Sequence, residues 1–145
     1  MLRRTKPKKG KNVSSIKKKC WKLFSEYIRR KYSDSNGNAR CISCGAIKPW
    51  KQMQSGHYID GRCNAVLFEE DLVHVQCFAC NCMLHGKKSE YAAFMYETYG
   101  EDRVNELRVL SKTTVKRSYS DYEILEQELK QKLKKLGEDR KWSWE

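Results

Sequence analysis

The chain has 145 residues, with 30 Lys and Arg against 18 Asp and Glu and a formal net charge of +12; that length holds one compact domain plus tails. With 33% charged and 39% apolar residues the core is modest, and the lack of any long apolar run argues against a membrane protein. The basic balance favours a polyanion, because Lys and Arg displace counterions condensed on phosphates. The first residues, MLRRTKPKKGKNVSSIKKK, carry no apolar signal-peptide core. A cytoplasmic chain with reduced thiols is therefore expected, and its seven cysteines point to metal rather than disulfides.

Residues 1–13 read as a basic flexible arm, with Arg3, Arg4, Lys6, Lys8, Lys9 and Lys11 and no acid. Such an arm either follows a phosphate backbone or is simply solvated. Residues 14–38 read as a helix and a turn. Ile16, Cys20, Phe24, Tyr27 and Ile28 recur at helical steps up to Tyr32, Ser14 or Ser15 can cap the start, and SDSNGN at 33–38 stops it. Lys17, Lys18, Lys22, Arg29 and Arg30 fall mainly off the apolar stripe.

From 39 to 88 the chain is irregular and rich in Cys and His. Short strands are expected at 55–59 and 72–76, with a helix starting near Cys80. CISCG places Cys41 and Cys44 two residues apart, and QCFACN does the same with Cys77 and Cys80. Two such pairs supply the four soft ligands of a closed tetrahedral zinc site, with Cys82 and Cys63 as competing thiols. A knuckle, a hairpin in the long intervening loop and a helix bearing the second pair describe a treble clef. The expected fold class is α+β: a small zinc-stabilised core with flanking helices.

Residues 89–145 read as C-terminal helices for packing or dimerisation. Ser89–Tyr99 ends at Gly100, and a further helix spans Arg103–Leu110. The last helix starts at a capping box, Ser120 to Glu123. It carries the stripe Leu125, Leu129, Leu133 and Leu136, with Glu126–Lys130 and Glu128–Lys132 pairs, and ends at Gly137. It packs on the core or on another subunit.

Four thiolates leave no open position on zinc for water, so chemistry must come from neighbours. His57 falls in the first expected strand. Asn81 is fixed in the first helical turn by Cys80, and His85, four residues on, falls on the same helical face. A hairpin packed on that helix would bring His57 opposite Asn81. A neutral imidazole can take a proton from water, and an amide oxygen suits Mg²⁺ or Mn²⁺. That pairing fits phosphodiester hydrolysis, the ion stabilising charge on the phosphate and the leaving oxygen. The bland readings are an ordinary hairpin His57 and a helix-surface Asn81. His74 either orients the hairpin through hydrogen bonds or is a satisfied core imidazole. His85 is a metal ligand, a phosphate contact or plain surface.

CISCG, then GHY, then LFEEDLVHVQCFACN resembles the phage NinG (Rap) family of recombination nucleases, over about Ala39 to Arg140. The resemblance implies an HNH-type ββα-metal nuclease core at 39–88 that cuts branched DNA such as Holliday junctions and D-loops. The Cys-x-x-Cys-Asn ending is also similar to endonuclease VII-type junction resolvases. Carried over, Asn81 binds the catalytic Mg²⁺ or Mn²⁺, His57 is the general base, and His74 matches the family's Ile-His position. HNH enzymes often carry an Asp before the strand His, where this chain has Gly56. The remaining ion ligand is then Asp60, Asp71, His85 or His57 itself. Lys17, Lys18, Arg29, Arg30, Lys87 and Lys88, with the basic arm, are the expected phosphate contacts, and a homodimer would match the symmetry of a four-way junction. The rivals are a non-catalytic zinc module that binds nucleic acid, and a zinc-ribbon adaptor that binds protein.

Overall fold

The computed structural model describes residues 11–60 and 64–139. Most of the basic arm and the competing thiol Cys63 lie outside the described residues. Among the described residues no helix is long and apolar enough to cross a membrane.

Helix α1, Val13–Lys31, buries Ile16, Cys20, Phe24 and Ile28, the stripe expected from the period. Its cap is Asn12, whose side chain accepts from the Ser15 N–H at 3.3 Å; the chain enters the helix earlier than Ser14 or Ser15 would allow as caps. After it, Asp34 Oδ1 accepts from the Asn36 and Asn38 N–H groups, an Asx turn that closes the 33–38 segment. Strands β1 (Asn38–Arg40) and β2 (Ile47–Pro49) pair antiparallel and frame the first cysteine knuckle.

Strands β3 (Gln54–His57) and β4 (Val73–Gln76) form the second antiparallel pair, with Gly56 opposite His74 and His57 opposite Val73. All four residues of β4 are buried, because it packs on several sides. Val73 joins the cluster of α1, Val75 joins the cluster around the cysteines, and Leu72 just before it joins a third cluster on α2. The knuckle is tied to the strand by Ile42 N–H donating to the Val75 carbonyl at 3.0 Å.

The helix expected from Cys80 is only a five-residue π turn, Ala79–Met83. His85, Gly86 and Lys87 follow with φ of 51°, 84° and 44°, and three left-handed residues in a row cannot continue a right-handed helix. Helix α2, Lys88–Ser111, is broken at Gly100 (φ 81°, ψ 165°) into the two arms read from the sequence. Helix α3, Tyr119–Asp139, is capped two residues before the expected Ser120. The capping box is Ser118 and Asp121: the Asp121 N–H donates to Ser118 Oγ at 3.2 Å and the Ser118 N–H to Asp121 Oδ2 at 2.7 Å. The helix runs through Gly137 rather than stopping there. Of the two expected ion pairs Glu126–Lys130 forms at 2.8 Å, whereas Lys132 reaches across to Glu70 at 3.1 Å.

Helix α3 packs on α1 of the same chain, burying Tyr122 and Leu129 against the α1 stripe. The two helices run in the same direction. Lys11 pairs with Glu123, the Cys20 thiol reaches the Tyr122 carbonyl, Lys132 lies over the Tyr27 ring, and Gly137 lies by Arg30.

Candidate functional site

The sulfurs of Cys41, Cys44, Cys77 and Cys80 all lie within 4.8 Å of one another. Local backbone geometry holds them there. The Gly45 N–H donates to the Cys41 carbonyl with Gly45 at φ 79°, and the Asn81 N–H donates to the Cys77 carbonyl at 2.9 Å. Burial pushes the Cys41 thiol up, but N–H groups of Cys44, Cys77 and Ser43 outweigh it and hold the group at about 7. Burial, then the sulfurs of Cys77, Cys44 and Cys41, push Cys80 well above the usual thiol range. Four soft donors at this spacing, one already inclined to ionise, fit Zn²⁺, whose charge would draw the remaining protons off. The exposed Cys82 stays out of the cluster and meets Gln54 Oε1 at 3.1 Å.

Beside this cluster is a cleft of about 390 Å³ lined by residues that include Trp21, Ser55, His57, Asp60, Asn81, His85 and Lys88. His57 and Asp60, from one segment, thus share the cleft with Asn81 and His85 from another. His57 ends β3. Its ring stacks on Trp21, with centroids 4.9 Å apart and planes 23° apart, and its Nε2 lies 3.2 Å from the Leu67 carbonyl. A carbonyl only accepts, so in the neutral ring Nε2 carries the proton and Nδ1 the lone pair. Asn81 donates its Nδ2 to Gln54 Oε1 at 2.6 Å, which turns Oδ1 the other way, toward Gly56. His85 reaches the cleft not from the face of a continued helix but from the left-handed reversal that ends the short turn.

Lys88 anchors the cleft from within. Its ammonium donates to the His57 and Tyr58 carbonyls at 2.7 and 2.8 Å and pairs with Asp60 at 3.0 Å. Arg29 and Arg30 are likewise engaged inside the chain. Arg29 bonds the Ser25 and Trp50 carbonyls, Arg30 pairs with Glu26, and both lie over the Trp50 ring. Lys17 ties down Asn64 at 2.8 Å. Lys18 is exposed and Lys87 half-buried. Asp71, the other carboxylate weighed as an ion ligand, is held by Arg103 at 2.9 Å.

His74 does not line the cleft. It is 1% exposed, and burial, reinforced by Lys31 and opposed by Asp71, lowers its pKa to about 4. It therefore stays neutral, and its tautomer follows from its partners. Tyr91 donates its hydroxyl to the Gly56 carbonyl at 2.7 Å, so it accepts from His74 Nδ1 at 3.0 Å. His74 Nε2 then accepts from Tyr99 at 2.7 Å. This directed chain, Tyr99 to His74 to Tyr91 to Gly56, fixes the backbone next to His57. Of the two readings open in the sequence, it combines both: a core imidazole that orients the hairpin.

Sequence reasoning missed Trp21, the Tyr91–Tyr99 relay and two glutamines, Gln54 and Gln76. The available signal was Gly56 itself, because glycine inside a strand marks a close approach by another group. That group is Gln76, whose Oε1 a Cβ on residue 56 would overlap.

No curated protein and no solved structure matches the chain. A family model does, described as bacteriophage lambda NinG protein and covering residues 2–139.

Proposed function

Since the chain belongs to the bacteriophage lambda NinG protein family, which points to a phage recombination-related role, we propose that it is a structure-selective endonuclease that hydrolyses phosphodiesters in branched DNA. The observation that carries this reading is the sharing of one cleft by the His57 ring and the Asn81 amide beside a four-cysteine cluster. In the mechanism, His57 Nδ1 takes the proton from the attacking water, while the Leu67 carbonyl holds the opposite nitrogen in its protonated form. Trp21 keeps the ring in plane, and Lys88 and Tyr91 hold the carbonyls at 56–58. Asn81 Oδ1 offers a hard oxygen to Mg²⁺ or Mn²⁺, which supplies charge stabilisation at the phosphate and leaving oxygen when bound. The zinc site is structural, fixing Asn81 next to Cys80.

Exposed Lys18 and half-buried Lys87, with the basic arm, would hold phosphates. Such contacts carry no base sequence, which suits recognition of branched DNA by shape. A homodimer would match the symmetry of a four-way junction. A monomer mass in light scattering at all working concentrations removes that part.

The test is a cleavage panel of four-way junction, D-loop, flap and linear duplex with Mg²⁺, Mn²⁺ or EDTA. Branched substrates are expected to be cut only with a free divalent ion. His57→Ala should cut nothing while binding DNA as tightly as the parent. Binding without cutting under every ion would leave a zinc-dependent nucleic-acid-binding module instead, and cutting by His57→Ala at the parent rate would overturn the base assignment.

A further inference from the structure

Gln76 is fully buried, and its Oε1 has no hydrogen-bond partner among the described residues. A buried acceptor left unmatched destabilises the fold, so its position calls for a ligand. The amide is not free to flip. Its nitrogen donates to Ser43 Oγ and to the Gly86 carbonyl, each at 2.8 Å, and only an N–H₂ can satisfy a carbonyl. With both protons used, Oε1 is forced against Gly56. A Cβ at residue 56 would overlap that oxygen, lie 2.8 Å from Gln76 Cδ, and lie 3.0 Å from Asn81 Oδ1. Asn81 is locked in the same sense, its nitrogen committed to Gln54. Two side-chain oxygens, on different elements and each fixed by its own donors, therefore converge on the space that a side chain at 56 would fill.

We propose that Gln76 Oε1, packed against the bare Gly56, is a ligand of the catalytic divalent cation together with the neighbouring Asn81 Oδ1. This rests on the endonuclease reading and supplies the ligand that Gly56 cannot. Two oxygens with no proton between them are hard donors, suited to Mg²⁺ or Mn²⁺ and not to the thiolate-bound zinc. Both are neutral amides, and Asp60 on the same cleft is already paired with Lys88. The cradle alone therefore holds the ion weakly, and the phosphate of bound DNA supplies the missing negative charge.

The test is Mn²⁺ titration of the zinc-loaded full chain, followed by the electron paramagnetic resonance signal of free Mn²⁺, with zinc content and circular dichroism as folding checks. Asn81→Ala and Gln76→Ala are each expected to weaken Mn²⁺ binding by roughly tenfold or more. Gly56→Asp combined with Gln76→Ala should restore it, because a carboxylate then enters the vacated space. Gly56→Ala keeps the Gln76 anchors to Ser43 and Gly86 but sets a Cβ against Oε1, so it should also weaken Mn²⁺ binding; it decides the matter if Gln76→Ala loses zinc. If Asn81→Ala fails to bind while Gln76→Ala and Gly56→Ala bind like the parent, the proposal is overturned and the endonuclease reading stands. If the parent binds no Mn²⁺, or Asn81→Ala binds as the parent does, the cation site falls and the metal-dependent reading with it. If Mn²⁺ binds as proposed but no DNA is cut, the cradle stands and only the endonuclease reading fails.

Discussion

Two halves of the molecule are held together by different physics. The α1–α3 pair is an ordinary apolar interface in which Phe24, Ile28, Tyr122 and Leu129 are 2% exposed or less. The knuckle and hairpin are small: two strands of four residues, two of three, and a five-residue turn. Elements this short bury too little apolar surface to be stable alone, and a Zn²⁺ held by the four cysteines would supply the cross-link instead. The cleft lies beside that cross-link, with Trp21 of α1 as one wall. The cleft is thus set on the cysteine-bearing half and braced by the hydrophobic half.

Breaking the clamp should have the largest effect. Cys77→Ala, or chelation of bound zinc, is expected to remove on the order of 10 kcal/mol of folding free energy from the knuckle and hairpin. The checks are zinc content and the loss of amide protection in β3 and β4, with α1–α3 helicity reduced less. Leu129→Ala attacks the other half: about 2–5 kcal/mol of destabilisation in denaturant unfolding, with zinc content unchanged. A Leu129→Ala protein that sheds its zinc would show that the halves do not separate in this way.

Acid tests the packing of the hairpin on α2, where His74 meets Tyr91, Phe94 and Tyr99. His74 falls from an ordinary 6.5 to about 4 because burial disfavours its charged form. The unfolded chain therefore binds the extra proton between those values. Stability that is full above about pH 6.5 is lost as pH falls toward 4, by up to about 3 kcal/mol. Thiolate protonation acts in the same direction, so the measurement is the difference in acid-side slope between the parent and His74→Phe, which lacks this titration. Equal slopes would mean that the imidazole is not held neutral by the fold. The smallest expected effect is Ser118→Ala, about 1 kcal/mol from the loss of one N-cap, whereas Ser120→Ala should change thermal stability by much less.

The Ser118 and Ser120 contrast shows where the sequence stops being readable. Both Ser118-x-x-Asp121 and Ser120-x-x-Glu123 fit a capping box, and local pattern has no means of choosing. The structure uses Ser118, next to Arg117, whose guanidinium donates to the distant Asn64 carbonyl at 2.5 Å. The cysteine pairs were legible because a two-residue gap is itself the ligand geometry. The α1 stripe was legible from its period, whereas the strands near 55 and 73 show no alternation, β4 being buried throughout. His85 was placed by counting along a helix that three left-handed residues cut short. Arg29, Arg30, Lys17 and Lys88 read as phosphate contacts by charge alone, and only their internal partners show that these groups also brace the fold. Gln76 carries no signal in isolation; its meaning comes from Gly56 across the hairpin.

The parallel seating of α1 against α3 has a consequence for biogenesis. The Cys20 thiol and the Tyr122 carbonyl are 102 positions apart, so the first helix emerges from the ribosome long before the surface it docks on exists. Until then its oily stripe lacks Tyr122 and Leu129 and has only the earlier Val73 and Phe68 to pack on it, and closing so distant a pair slows folding. A nascent chain stalled before residue 122 should bind hydrophobic dyes and chaperones strongly, and release both once α3 has been made.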